Sequence, residues 1–465
     1  MENQTPTSVN AKPVKAFFVS MLTRDITLED AILDLIDNCV DGALRIINPQ
    51  NISAKNYSNY RVNITFSEDS FKIEDNCGGI EKKVLTSYAF RMGRPSDSPQ
   101  DKNMPTVGVY GIGMKRAIFK MGKSCRVRTQ HAGQACELSI DNKWLLDENK
   151  WEIPLSEEEP SDINGTTIEI SDLFPGIKDS FSKANTIFLD DLTKKIATTY
   201  ALILDNGFEI IINGTKVSSR GVKFAIDCVT PKKEKILPYI FKGTIGKVKV
   251  FLVVGLTKPL STPDDENGPY SKEDAGWTII CNDRVIVYCD KTELTGWGER
   301  PIPKYHSQFR AISGIVEFYS EDAKALPTTT TKRGIEAGTP LFSQIRVKMR
   351  EGLKYFIDYT NSWKGKESES RNQVVTTPKI SLMELKNTEA SSFTYTKCDS
   401  GEVFKPNLPK PEKEDSGIRT VSFQTNKDNL RLVAEYLDIQ WEDRKSVCSE
   451  IGETCFKNIL RKAEK

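Results

Sequence analysis

The sequence predicts an α+β protein built from more than one domain. Its 465 residues exceed the roughly 250–300 residues at which a single hydrophobic core stops growing. Helical and strand-like segments alternate from about Val14 to Asp172, an order typical of a mixed or antiparallel sheet with helices on one face. A second run of strand-like segments follows, and a long amphipathic helix comes after it.

The first domain is predicted over residues 14–184. "AILDLIDNCVDGALRII" has an apolar face and predicts a helix, while "YRVNITFSEDSFKIED" predicts two short strands around a polar turn. "GMKRAIFKMG" predicts a helix that begins after glycines. "SCRVRTQHAGQACELSID" is typical of a hairpin, and "GTTIEISDL" of one further strand.

The rest of the chain divides into four predicted parts. Residues 185–336 form a second domain, with the helical segment "TIFLDDLTKKIATTYALIL" followed by strand-like stretches such as "FEIIINGTKV" and "GKVKVFLVVGL". Residues 337–364 predict one long helix. Residues 365–415 are rich in Ser, Thr, Pro, Lys and Glu with little apolar periodicity, as expected of a linker. Residues 416–465 predict a small helical module.

Composition narrows the classes of function. The chain has 65 Lys and Arg against 64 Asp and Glu, so any contact with nucleic acid has to come from a local basic patch. Ten cysteines without a CxxC pair favour a reducing, cytoplasmic setting. We expect no secretory signal and no membrane span, because the best apolar run, "ALILDNGFEIII", is short and interrupted by Asp205 and Asn206.

The first predicted helix carries a polar face. Asp34, Asn38 and Asp41 occur at intervals of four and three residues, and such residues are neighbours on one side of a helix. Polar faces of amphipathic helices are usually only solvated. The helix alone therefore does not establish a functional site.

A carboxylate follows the second predicted strand. "FKIEDNCGGI" places Asp75 at the strand end, before Gly78 and Gly79. A carboxylate there can accept a hydrogen bond from an exocyclic amine such as that of adenine, and the glycines let the backbone approach closely. The same residues also suit an ordinary turn.

A glycine-rich segment precedes the next predicted helix. "GVYGIGMKRAIFK" sets Gly108, Gly111 and Gly113 before a first turn that carries Lys115 and Arg116. Exposed amides and the positive helix N-terminus suit phosphate oxygens. The G-x-x-G-x-G order matches neither the dinucleotide fingerprint nor the Walker loop, which disfavours those two folds. A last element, Gly165 and Thr166 in "NGTTIEI", would alone be a turn at a strand start.

In this order, the four elements resemble the motifs of the GHKL superfamily of ATPases, which includes gyrase, Hsp90, histidine kinases and MutL. "DLIDNCVDGA" is similar to the superfamily's acidic and Asn-containing helix, "DNCGGI" to its adenine motif, and "GVYGIGMKRA" to its glycine motif. The tyrosine and lysine of the last segment look most like the MORC branch. The resemblance implies a Bergerat-type α/β sandwich ATPase domain followed by a transducer (S5-like) domain.

The resemblance also implies roles for single residues. Asp34 would be the general base that orients the attacking water, and Asn38 would hold Mg²⁺. The residues implied to contact ATP are Asn38, Asp41, Asp75, Gly79, Gly108, Tyr110, Gly111, Ile112, Gly113, Met114, Lys115 and Thr166.

Two further parts of the site are implied by the same family. Residues from about Arg91 to Gly108 would form a lid over the nucleotide. A lysine from the transducer domain would contact the γ-phosphate of ATP. We assign this catalytic role to Lys332 in "LPTTTTKRGIE", with Arg333 as the nearest rival and a solvated basic turn as the plainer interpretation.

The chain departs from the family pattern at two positions. Asp34 stands where the family usually has Glu, and because its side chain is one methylene shorter we expect slow hydrolysis. Cys77 replaces the first Gly of D-x-G-x-G, with Gly78 one residue later. Asp75 and Gly79 keep their places, so we expect the adenine contact to survive.

The resulting expectation is a Mg²⁺-dependent, slowly hydrolysing ATPase that forms a homodimer on ATP binding and acts on a DNA or protein client. One alternative is a non-hydrolysing module in which ATP only stabilises an assembly that serves another protein. A histidine-type protein kinase is disfavoured because it needs a phosphoacceptor histidine on a helix, and His131 and His306 lie in a predicted hairpin and a polar loop. An intrinsic nuclease is disfavoured by the absence of Cys/His metal spacing.

Overall fold

The computed structural model describes most of the chain in two compact units, residues 1–411 and 412–465. The described residues are 14–47, 56–91, 104–106, 108, 111–148, 150–226, 236–260, 274–329, 331–375, 377–411, 421–422 and 424–464.

The first part of the first unit is built on an eight-stranded mixed sheet. Its strands are β1 (Arg61–Phe66), β2 (Ser70–Asp75), β3 (Gly122–His131), β4 (Gln134–Ile140), β5 (Leu155–Glu158), β6 (Gly165–Leu173), β7 (Glu209–Ile212) and β8 (Thr215–Lys216). They lie in the order β5-β4-β3-β6-β2-β1-β7-β8. Neighbouring strands are antiparallel except β1 and β7, which are parallel.

Eight helices accompany this sheet in the described residues. They are α1 (Lys15–Arg24), α2 (Leu28–Ile47), α3 (Lys82–Val84), α4 (Gly113–Met121), α5 (Asn142–Leu146), α6 (Pro175–Phe181), α7 (Thr186–Thr199) and α8 (Ala201–Asp205), with a π-helical turn at Leu85–Ala89 after α3. The apolar face of α2, including Ile32, Leu35 and Ile36, is buried in one core with the strands. This burial fixes α2 against the sheet, because apolar contact with a neighbouring layer supplies most of a helix's stability.

The second part of the first unit has its own sheet and core. The strands are β9 (Lys223–Ala225), β10 (Tyr239–Ile245), β11 (Val248–Leu256), β12 (Gly276–Cys281), β13 (Arg284–Asp290), β14 (Ile312–Tyr319), β15 (Lys379–Ser381), β16 (Thr396–Cys398) and β17 (Gly401–Phe404). Seven of them form a sheet in the order β13-β12-β14-β11-β10-β17-β16, while β15 pairs with β9. Short 3-10 turns lie at Glu293–Thr295, Ser307–Phe309 and Ala323–Ala325.

The predicted long helix is present as α9 (Pro340–Ser362). Thr339 caps it by accepting a hydrogen bond from the amide of Phe342. Its buried apolar side chains recur at helical spacing, and they are Phe342, Ile345, Met349, Leu353 and Phe356. They belong to the core of the second sheet.

The boundary between the two domains lies later than we expected. We assigned "FEIIINGTKV" to the second domain, but β7 and β8 complete the first sheet, with β7 beside β1. Helices α7 and α8 also pack in the first core through Leu192, Ile196 and Ile203. The residue pattern of a strand predicts that the strand forms but not which strand it pairs with. Here α7 and α8 direct the chain back to the first sheet, so β7 pairs with β1.

The expected linker over 365–415 also needs correction. This segment contains α10 (Glu367–Val375), β15, α11 (Leu382–Ser392), β16 and β17. Strand β17 pairs with β10, and Leu385 and Val403 are fully or almost fully buried. The segment is short of apolar residues because each element buries only one or two side chains against the second sheet.

The second unit contains two helices, α12 (Lys427–Tyr436) and α13 (Lys445–Ala463). In the described part of this unit, Ala434 and Ile451 are buried, whereas Tyr436 and Phe456 are exposed. No described helix of the chain is both long enough and apolar enough to cross a membrane.

Truncation tests the correction to the linker. A chain ending at Lys364 should unfold at a lower temperature or aggregate, because it loses strand β17 and the burial of side chains such as Leu382, Leu385 and Phe393, each worth roughly 1.5–3 kcal/mol. A chain ending at Pro411 should keep the thermal transition of the first unit. Equal transition temperatures for the two truncations, measured by calorimetry, would show that 365–411 contributes nothing to the fold.

Candidate functional site

The predicted site residues come together around one cavity of about 250 Å³. Those that line it are Asp34, Asn38, Asp41, Asp75, Gly79, Gly108, Gly111, Ile112, Gly113, Met114, Lys115, Thr166 and Lys332. Tyr110 lies outside the described residues, as does most of the predicted lid. Five segments distant in sequence therefore supply one concave surface.

Helix α2 forms one wall of the cavity with the polar face that its spacing predicted. Asp34, Asn38 and Asp41 all line the cavity. Asn38 is exposed, whereas Asp34 and Asp41 are 4% and 2% exposed. Buried carboxylates require partners, and both of these have one.

Asp75, the last residue of β2, presents a carboxylate oxygen to the cavity. Its Oδ1 accepts hydrogen bonds from the amides of Cys77 at 2.7 Å and Thr166 at 3.3 Å. Among the described residues, the partner of Oδ2 is the weak thiol donor of Cys39, at 3.4 Å. Burial raises the pKa of Asp75, although the two amide bonds and the thiol act to lower it. Oδ2 is thus the oxygen with capacity for a stronger donor.

Two of the predicted glycines are required by neighbouring strands. A Cβ on Gly79, where φ is +68°, would lie 1.9 Å from the carbonyl oxygen of Gln130. A Cβ on Gly165 would lie 2.0 Å from the carbonyl oxygen of Asp75. We expected Gly79 to allow close approach of a base, and the structure shows that it also allows the chain to pass β3.

The floor of the cavity is apolar. Ile73 of β2 and Ile168 of β6 are directly paired across the sheet, and both line the cavity. Ile46, Val84 and Met114 add further apolar surface. A flat apolar surface beside a carboxylate suits a planar ring that carries an amine.

Residues of the site hold both ends of the predicted lid. Lys115 donates through Nζ to the carbonyl oxygens of Ala89 and Arg91, each at 2.8 Å. Burial lowers the pKa of Lys115 to about 8. At the other end, the amide of Gly108 donates to Asp41 Oδ2 at 2.8 Å. Lys115 therefore touches backbone as well as lining the cavity where we expected phosphate.

Comparison with known families agrees with this arrangement. Residues 26–172 match the family described as histidine kinase-, DNA gyrase B-, and HSP90-like ATPase. This segment is therefore similar to a GHKL-type ATPase domain. The match is to the superfamily and to no branch within it. No curated protein matches the chain.

Asp34 of α2 is held in a buried ion pair that the sequence did not indicate. Arg116 Nε donates to Asp34 Oδ2 at 2.5 Å, and the two side chains are 10% and 4% exposed. In the described part of the chain, Asp34 Oδ1 has no hydrogen-bond partner. Arg116 was recognised only as a basic residue beside Lys115, because nothing in the spacing links it to a helix 82 residues earlier.

A third buried carboxylate of α2, Asp37, binds groups that lie beyond the matched residues 26–172. Its Oδ1 accepts from Tyr200 OH at 2.7 Å and from Arg284 Nε at 2.8 Å. Its Oδ2 accepts from Lys332 Nζ at 2.9 Å. Burial would raise the pKa of Asp37, but Arg284 and Lys332 hold it below the usual range. No local sequence pattern indicated that Asp37, Tyr200 and Arg284 are in contact.

Lys332 and Arg333 have different surroundings although they are adjacent. Lys332 has a left-handed backbone (φ +57°) and lines the cavity. Arg333 instead pairs with Asp30 through Nε at 2.9 Å and donates to the carbonyl oxygen of Asp25. Of the two basic residues considered for the sensor, Lys332 is the one that the fold brings to the cavity.

Metal binding by the protein alone has little support in the described residues. They contain no cluster of three or more His, Cys, Asp or Glu side chains that could hold an ion. Asn38 contributes one exposed amide to the cavity. A cation there would need further oxygen ligands from another molecule.

Proposed function

We propose that the chain binds ATP with Mg²⁺ in this cavity and hydrolyses it slowly, as a molecular switch. The observation that carries the proposal is Asp75, which lines a cavity with an apolar floor in a segment that matches an ATPase family, and whose Oδ2 is bonded by the weak thiol donor of Cys39. An adenine amine is a much better donor than the Cys39 thiol. The free thiols of all described cysteines support a reducing, cytoplasmic setting.

The orientation of the nucleotide follows from the contacts of α2. Cys39 meets Asp75, and Asp34, five residues earlier along α2, meets Arg116 of α4. Five residues of helix span roughly 7.5 Å. The base would thus lie near Cys39, and the phosphates near the N-terminus of α4, where amides and the Lys115 ammonium favour negative charge.

The chain's own residues suit a slow hydrolysis. Asn38 and the phosphate oxygens would hold Mg²⁺, which supplies neutralisation of phosphate charge when bound. Asp34 Oδ1 would orient the attacking water, while Arg116 keeps Oδ2 in place. Arg116 occupies one of the two Asp34 oxygens, and the side chain is one methylene shorter than that of Glu, so a water is harder to position, which supports slow turnover.

We further propose that the terminal phosphate is recognised by Lys332 and that the closed form dimerises. Lys332 lies on the loop between β14 and α9, and its backbone and side chain both contact residues near the cavity. A lysine from one domain at a cavity in the other provides a connection between nucleotide state and domain arrangement. A DNA or protein client would then respond to the dimer.

A non-hydrolysing role is the second candidate, and the Asp34–Arg116 pair favours it, because it occupies one oxygen of the only proposed base. The kinase alternative receives no support from the two histidines. His131 lies at the end of β3 with Nδ1 beside the carbonyl oxygen of Gly78, and the His306 ring accepts a hydrogen bond from the amide of Gln308 in a 3-10 turn.

Replacing Asp75 with Asn tests the adenine contact. The variant should bind ATP roughly 10- to 150-fold more weakly, because a charge-assisted hydrogen bond is worth about 1.5–3 kcal/mol. Glu74→Gln is the control, since Glu74 is exposed on the same strand and pairs with Lys72. Titration calorimetry that gives equal affinities for Asp75→Asn and wild type would disprove the adenine assignment.

Replacing Asp34 with Asn separates the hydrolysing and non-hydrolysing roles. The amide still offers Arg116 an acceptor but cannot take a proton, so ATP affinity should stay within about threefold while turnover falls at least ~100-fold. Thermal unfolding checks that the buried pair tolerates the change. A turnover equal to that of wild type, measured as phosphate release, would mean that Asp34 is not the base.

Nucleotide-dependent dimerisation has a direct test. Light scattering should give a larger mass with a non-hydrolysable ATP analogue than with ADP, because only the analogue offers a γ-phosphate to Lys332. Lys332→Ala should remove that difference, whereas Arg333→Ala, which alters the neighbouring contact with Asp30, should keep it. A wild-type mass that is the same with both nucleotides would exclude the dimerisation switch.

A further inference from the structure

Asp37 is a single carboxylate with two cationic partners. Arg284 Nε and Lys332 Nζ lie 2.8 Å and 2.9 Å from its oxygens. Tyr200 OH, at 2.7 Å, adds a neutral donor. One negative charge neutralises one cation, so the cluster keeps one surplus positive charge. Because Lys332 lines the cavity, that charge is available to an anion there.

The two cations differ in how firmly they are held. Arg284 is 6% exposed and binds two groups, Asp37 and, through Nη1 at 2.9 Å, the carbonyl oxygen of Lys332. Lys332 is 14% exposed, and its ammonium has one described hydrogen bond, to Asp37. Lys332 is therefore the cation that can move toward the cavity, and Arg284 is the one that remains.

We propose that Asp37 and Arg284 are positioning residues for Lys332, with Asp37 competing against the terminal phosphate of the nucleotide for the Lys332 ammonium. Arg284 stays with Asp37 after the transfer, so no unpaired charge is left buried when Lys332 moves. Arg284 also holds the Lys332 backbone, which confines the motion to the side chain. This inference rests on the proposed ATP site and names how that site distinguishes ATP from ADP.

The competition limits the preference for a nucleoside triphosphate. A ligand shifts a two-state element only by its differential affinity for the two states. Here the terminal phosphate must displace Asp37 from Lys332 before it gains the contact, and ADP lacks that phosphate. Asp37 thus weakens ATP binding relative to what a free Lys332 would give.

The test is the ratio of the dissociation constants of ADP and a non-hydrolysable ATP analogue, measured on the full chain by calorimetry. Asp37→Asn should raise this ratio about fivefold or more in favour of the analogue, the range usual for coupling between groups. Adding Lys332→Ala to Asp37→Asn should abolish the rise. Arg333→Ala is the matched control, because it alters an ion pair from the same loop without touching the cavity, and its ratio should equal that of wild type.

An unchanged or lowered ratio in Asp37→Asn overturns the inference, as does a rise that survives Lys332→Ala. If Asp37→Asn does not fold, Asp37→Asn with Arg284→Gln removes both charges together and should give a smaller rise above the wild-type ratio, because the Lys332 backbone is then held less firmly. The rate at which an amine reagent labels Lys332 in wild type gives a second readout. The analogue should change this rate relative to the nucleotide-free protein, and ADP should not. Equal labelling rates with the analogue and with ADP overturn the inference. Failure of the proposed function would look different, since wild type would then bind neither nucleotide.

Discussion

A buried carboxylate with partners from three distant segments joins the two sheets of the first unit. Asp37 is fully buried in α2, and all three of its side-chain partners, Tyr200, Arg284 and Lys332, lie beyond residue 172, where the ATPase family match ends. A buried charge without partners is strongly unfavourable. Helix α2 therefore depends on the second domain for its electrostatic balance, through Arg284 and Lys332, and residues 26–172 alone would not provide it.

The same helix gives each of its carboxylates near the cavity a different function. Asp34 binds the guanidinium of Arg116, Asp41 binds the amide of Gly108, and Asp37 binds the second domain. The apolar face of α2 meanwhile belongs to the first core. A site built on such a rigid element keeps its geometry better than one built on loops alone. The arrangement connects the glycine segment, the sheet and the second domain through one helix.

Local patterns predicted many of the residues that line the cavity. The spacing of Asp34, Asn38 and Asp41 needs only helix geometry, and Asp75 needs only the end of a strand, so both could be recognised from a few residues of sequence. The contacts of these residues with partners distant in sequence could not be recognised in this way. Arg284 lies 247 residues from Asp37, and no periodicity encodes that contact.

The fold was predictable to a similar extent. Strand β7 was expected as a strand, but its parallel pairing with β1 depends on where the preceding helices direct the chain. The segment of β16 and β17 was mistaken for a linker, because edge strands bury few side chains and leave little apolar pattern. Sequence thus predicts elements and their polar faces, while pairing between remote elements is decided by packing.

The thiol of Cys39 beside Asp75 affects how the cavity responds to oxidants and alkylating reagents. Burial, with the neighbouring carboxylate, raises the pKa of Cys39 well above its usual value, and the same two causes raise the pKa of Cys77. Oxidants and alkylating reagents attack the thiolate and not the thiol. The raised pKa values favour the protonated thiols at neutral pH, which lowers the reactivity of both cysteines toward peroxide and toward electrophiles.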